Sequence, residues 1–215
     1  MKKTIYLSLI IFLLLLCCAC ANKEGGSEDI YAYVNGEKIT PEEIDYFSQR
    51  RKAEVLQEYV SKYNISDFSE FWNTEFDGKT PSQELEEKAF EEAVRSKIVL
   101  VLMRDNGIYD DISFEGLKKQ AEEFNRKNKE SSEKKVGINS IDIEQFYTYY
   151  ISTGELELKN ILAKKDLKPT EDEIHDYYEG NNELSEEMIK SEIVSQKYDD
   201  YISELIQKAE IVKNQ

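Results

Sequence analysis

Few side chains in this sequence are equipped for covalent or acid–base chemistry, and their positions restrict them further. His175 is the one histidine of the chain, which excludes a two-histidine metal site or proton relay. It directly follows the helix-opening run Thr170-Glu171-Asp172-Glu173-Ile174, where a histidine reads as a solvent-facing helix residue. Acidic pairs such as Glu86-Glu87, Glu91-Glu92 and Asp110-Asp111 have the residue types for metal or glycosidase chemistry. With 44 Asp and Glu, adjacent pairs arise by chance, and these read as solvated helix faces. The sequence has no calcium-loop spacing with its glycine, no phosphate-cradling Gly-Lys loop and no nucleophile elbow. No catalytic residue, metal or cofactor is therefore expected. Cys17, Cys18 and Cys20 are the only thiols, and their crowding near the start leaves no pair for a disulfide in the fold.

Those thiols close a distinctive segment. Met1-Lys2-Lys3 is positive, and Thr4 to Leu16 is a nearly continuous apolar run. The run is shorter than the about 20 residues of a membrane span and fits the apolar region of a secretory signal. Its ending, Leu16-Cys17-Cys18-Ala19-Cys20, resembles the lipobox of bacterial lipoproteins, with Cys17 standing where that pattern usually has Leu. The resemblance implies cleavage between Ala19 and Cys20 and alkylation of the Cys20 thiol to a diacylglyceryl thioether. Two acyl chains, at about 0.8 kcal/mol per buried methylene, hold a protein to a bilayer where one does not. Residues 1–19 are thus expected to be a signal peptide, and residues 20–29, with Gly25-Gly26, a flexible tether. The expected location is the extracytoplasmic face of a bacterial cell membrane.

The remaining chemistry is that of non-covalent binding. The chain carries 14 Tyr and 9 Phe among 215 residues, with a formal net charge of −16. So acidic a surface repels phosphate backbones, which excludes nucleic acid as a partner. Aromatics offer wide contact area at little rotamer cost, which suits extended peptides of varied sequence. Most of them are expected in a helical core. Phe71, Trp72 and Phe76 lie instead in a polar segment rich in turn residues. Tyr149 and Tyr150 precede Ser152-Thr153-Gly154. These five are the candidate peptide-binding residues.

The elements that position them are mostly helices, since Gly is 9 and Pro only 3. Ile30 to Val34 has strand composition and Asn35-Gly36 is a turn signal. Thr40-Pro41-Glu42-Glu43 opens a helix with a cap, a first-turn proline and a capping box, ending near Asn64. A second helix is expected from about Ser82 to Asn106-Gly107, with Ile98 to Met103 apolar on all sides and deeply buried. Phe114 to Phe124 reads as a third helix, followed by a polar loop or frayed end over Asn125 to Lys135. A helix continues from the aromatic run at Ile141 toward Lys165. Thr170 caps a short helix that breaks at Gly180-Asn181-Asn182. The last helix runs from about Ser185 to Ala209. Glu210 to Lys213 is a candidate strand, expected to pair with Ile30 to Val34 in a small two-stranded sheet that joins the N- and C-terminal segments.

Several of these segments together resemble the chaperone module of the SurA and PrsA families, also described as trigger-factor/SurA peptide-binding-like. They are Val34-Asn35-Gly36-Glu37-Lys38-Ile39-Thr40-Pro41, the helix ending Asn106-Gly107-Ile108, Pro169 to Ile174 with Tyr177-Tyr178, and Lys197 to Ile211. The resemblance covers about Tyr31 to Lys213. It implies a mostly α, SurA-N-like domain over residues 30–213. It also implies a membrane-anchored chaperone, a holdase or foldase that binds unfolded or secreted polypeptides. Relatives often insert a parvulin prolyl-isomerase domain between the short Tyr-Tyr helix and the last helix. Here Gly180 to Leu184 is the whole connection, well short of a domain of about a hundred residues. A parvulin-type isomerase and a lipoprotein scaffold for one folded partner are the alternatives.

Overall fold

The computed structural model describes residues 30–130, 140–180 and 184–214. The expected signal peptide, Ala19, Cys20, the tether and the break at Asn181-Asn182 lie outside the described residues. Elements follow in the order β1 (Ala32–Val34), β2 (Glu37–Ile39), α1 (Pro41–Tyr63), a 3-10 turn (Phe71–Asn73), α2 (Pro81–Asp105), α3 (Phe114–Glu130), α4 (Ile143–Leu162), α5 (Glu171–Gly180), α6 (Glu186–Lys208) and β3 (Ile211–Lys213).

Local chemistry sets the helix limits. Thr40 and Thr80 each accept a hydrogen bond from the residue three on, Glu43 or Gln83, whose side chain accepts from the threonine N–H in return. Pro41 and Pro81 follow each cap directly, so α2 begins one residue before Ser82. At the far end of α1, Asn64 takes the left-handed conformation, with φ of 52°. Gly107, at φ of 73°, ends α2: its N–H bonds Arg104 O and the Ile108 N–H bonds Met103 O, both at 2.9 Å. Helix α3 continues to Glu130, past Asn125, where the sequence suggested a loop. Charged pairs one turn apart, Glu123 with Lys127 and Arg126 with Glu130, support that extension. Gly180 likewise still belongs to α5.

Helix α2 is the hub, packing against α1, α4, α6 and the sheet. Val99, Leu100 and Met103 are wholly buried on it, as its all-round apolar stretch requires. Tyr147 on α4 joins this core. Its hydroxyl shares a 2.8 Å hydrogen bond with Ser96, and burial pushes its pKa far up. A buried ion pair crosses from α1 to α2. Glu43 Oε1 accepts from Lys97 Nζ at 2.7 Å while Glu43 Oε2 accepts from the Thr40 N–H at 2.8 Å.

The expected pairing of the two chain ends is present. β3 lies antiparallel beside β1, with Ala32 opposite Lys213 and Val34 opposite Ile211. The sheet has a third strand as well, β2, giving the order β2-β1-β3. Glu37-Lys38-Ile39 is too short and too charged to announce a strand. Asn35 and Gly36, both at positive φ, fold it back onto β1.

Candidate functional site

The five aromatics singled out in the sequence do not form one surface. Phe71 is only 3% exposed, because the 3-10 turn rolls it inward against Val55 and Tyr59. Trp72 and Phe76 are half-buried around the same small cluster. Phe76 packs edge-on to Tyr59 at 5.5 Å, and the Lys52 amine lies 5.4 Å from the Trp72 ring centre. Tyr150 is also buried, its ring stacked 3.7 Å from that of Tyr109, whose hydroxyl donates to Tyr150 O at 2.9 Å. Burial pushes the Tyr109 phenol up to about 12, so it remains a donor at neutral pH. Tyr149 is 59% exposed on the outer side of α4. Phe71 and Tyr150 are thus core residues and offer no binding surface. For Tyr150 the reason is that Ser152-Thr153-Gly154, a turn-like run by composition, is continuous helix within α4.

A more open concave surface lies elsewhere, on the N-terminal half of α2. It is a cleft of about 550 Å³ between α1 on one side and the end of α6 with β3 on the other. Phe90, Val94, Ile206 and Ile211 give it apolar walls, and charged residues form the rim. The cations of that rim are already engaged. Arg51 pairs with Glu54 and Glu92, Lys88 with Glu54 and Glu58, and Arg95 with Glu155 at 2.9 Å. Those partners hold the Glu54 carboxyl below the usual range, Arg51 first and Lys88 second. Glu92 and Arg95 also line a second hollow, of about 220 Å³, that continues toward Ser96, Tyr147 and Ile151.

Sequence reasoning missed this cleft because its walls come from three regions far apart in the chain. One signal pointed to it: Phe90, an aromatic set among the charged residues Glu86 to Glu92, is too polar in its surroundings for a plain core position. The Phe90 ring packs 5.7 Å from Tyr31, and the Lys213 amine sits over both rings. His175 is exposed on α5, near Ile174 and Tyr178 in a hollow of about 320 Å³ beside α6. Among the described residues no three metal-ligating side chains converge, and no helix is long and apolar enough to cross a membrane.

No family model matches the chain, and no solved structure matches it. It is similar to the foldase protein PrsA of Caldanaerobacter subterraneus subsp. tengcongensis, with 26% identity over 189 residues. The match covers 87% of this chain and 54% of that protein, so the chain spans about half the length of the curated relative it matches. This likeness supports a relationship to PrsA/SurA-type chaperones.

Proposed function

We propose that the protein is a lipid-anchored, extracytoplasmic chaperone that reversibly holds extended segments of unfolded polypeptides. The observation that carries this reading is the open cleft on α2, with apolar walls inside a charged rim. Such a surface captures apolar segments without demanding one sequence, and the acidic exterior keeps the loaded protein soluble. The likeness to a foldase agrees with it. Trp72, Phe76 and Tyr149, which keep exposed surface, are proposed as secondary contacts.

The test is suppression of aggregation of a reduced, unfolded secreted protein. The double variant Phe90→Gln/Ile206→Gln is expected to lose most suppression while its melting temperature stays within a few degrees. Undiminished suppression by a folded double variant would sink the cleft as the binding surface. The anchor is tested separately. Cys20→Ser is expected to abolish lipid labelling and release the protein from membranes, and unchanged membrane retention would refute lipidation.

Reversible holding of an extended segment requires no rotation about its peptide bonds, and the link from Gly180 to Leu184 has no room for a parvulin domain. The protein is therefore expected not to accelerate Xaa-Pro isomerisation, whose uncatalysed course of about tens to hundreds of seconds makes even weak catalysis visible. A rate proportional to protein concentration would favour the isomerase reading instead.

A further inference from the structure

The outer edge of the sheet bears on how a polypeptide is held. Asn35 N–H donates to Glu210 O at 2.9 Å, and Asn214 N–H donates to Tyr31 O at 3.0 Å. Hydrogen-bonded and non-bonded pairs alternate along an antiparallel ladder, so Tyr33 and Val212 form the bonded pair between them. Val212 therefore turns its N–H and C=O toward β1. Ile211 and Lys213 turn theirs to the opposite side, where β3 is the edge strand and no described element pairs with it.

Proteins commonly guard such an edge with a lysine, a proline or a bulge. Here the lysine is drawn aside: the Lys213 amine bonds Glu86 at 3.0 Å and lies over the rings of Tyr31 and Phe90. Ile211 and Val212 are 41% and 48% exposed. Ile211 is also a wall of the cleft. A strand laid beside β3 would place the side chain opposite Ile211 about 5 Å from it on the same face, at the cleft. The charge is equally directional. Arg51, Lys88 and Arg95 are paired, while Glu91 lines the cleft, exposed and without an ion pair among the described residues.

We propose that β3 is a strand-addition site. An extended segment with apolar residues at alternate positions and a lysine or arginine nearby pairs antiparallel with the Ile211 and Lys213 backbone. Its apolar side chains enter the cleft and its cation meets Glu91. The inference rests on the polypeptide-binding reading and specifies its substrate class: strand-forming, basic segments free of proline at the paired positions. Main-chain pairing supplies affinity without sequence, and the cleft selects the alternation.

The test uses the full-length protein and a fluorescein-labelled ten-residue peptide alternating valine with threonine and lysine. In the antiparallel register the amides of the valines face β3. N-methylation of the valine amides is expected to weaken binding about tenfold or more, the loss of two hydrogen bonds, while N-methylation of the threonine and lysine amides is tolerated. Amide exchange at Ile211 and Lys213 should slow at saturating peptide. Ile211→Pro, which removes an outward donor and leaves the β1 ladder intact, should lose binding and keep its melting temperature.

Equal or reversed ranking of the two methylated peptides overturns strand addition. If the protein still suppresses aggregation in that case, the chaperone reading survives the loss. Absence of both peptide binding and suppression overturns both. A concentration-dependent dimer of the protein alone, abolished by Ile211→Pro, would assign the edge to a second copy and overturn the proposal as well.

Discussion

Gly154 lies in the middle of α4, where an added Cβ would come within 2.6 Å of the Tyr109 ring and 2.8 Å of Met103 Sδ. The methionine can shift, but the Tyr109 ring is held by its stack on Tyr150. In an ordinary helix interior, Gly→Ala is worth about 1 kcal/mol of added stability. Here the sign reverses: Gly154→Ala is expected to cost about 1–3 kcal/mol through overpacking, read as a lower denaturant midpoint at unchanged slope. A raised midpoint would mean that Tyr109 moves freely. The same contact shows why a residue's role was hard to see in the sequence. Ser152-Thr153-Gly154 has the composition of a turn, yet the glycine serves close approach between α4 and the end of α2. Nothing local to Gly154 announces Tyr109, which lies far away in the chain.

Helix α1 is joined to α2 through one carboxylate that performs two tasks. Glu43 closes the capping box of α1 and receives Lys97, with side chains of the two residues 3% and 4% exposed. Lys97→Met would leave Glu43 buried and charged without its cation, at an expected cost of about 3–5 kcal/mol. Glu43→Gln/Lys97→Met should recover part of that loss, because a neutral amide in place of the carboxylate can still accept the Thr40 N–H and serve the cap. A double variant no more stable than Lys97→Met would show that the cost is lost packing. The capping box was legible from Thr40 and Glu43 alone, as were the Pro41 start and the Asn-Gly stop, because such signals are confined to four or five consecutive residues. The partner of Glu43 was not, since a lysine inside an apolar helix gives no sign of which carboxylate faces it. The same limit hid the cleft, assembled from α1, α2, α6 and β3, and the inward turn of Phe71.

At the scale of the whole molecule, β1, β3 and α2 are fastened by a three-residue cluster. Glu86 accepts hydrogen bonds from the Tyr31 hydroxyl and from Lys213, and these hold its carboxyl below the ordinary range, Tyr31 first and Lys213 second. A carboxyl depressed in the folded state contributes its full stabilisation above its unfolded pKa of about 4.3 and loses it as the pH falls through the folded value. Exchange protection of the Val212 amide is therefore expected to decline on acidification through that window, before the α2 core opens. Glu86→Gln should flatten this pH dependence, and a decline that persists in the variant would place its origin elsewhere. The sheet so fastened unites residues synthesised far apart: the Asn214 side chain donates to Ile30 O across 184 positions. The β1–β2 hairpin closes over two residues and can form as soon as it is made, whereas the other side of β1 waits for the helices and β3 to follow. Long-separation contacts form slowly because loop-closure entropy precedes any gain from them. Until β3 arrives, β1 is itself an open edge, so the nascent protein passes through the same hazard of unpaired strands that its finished form is proposed to relieve in others.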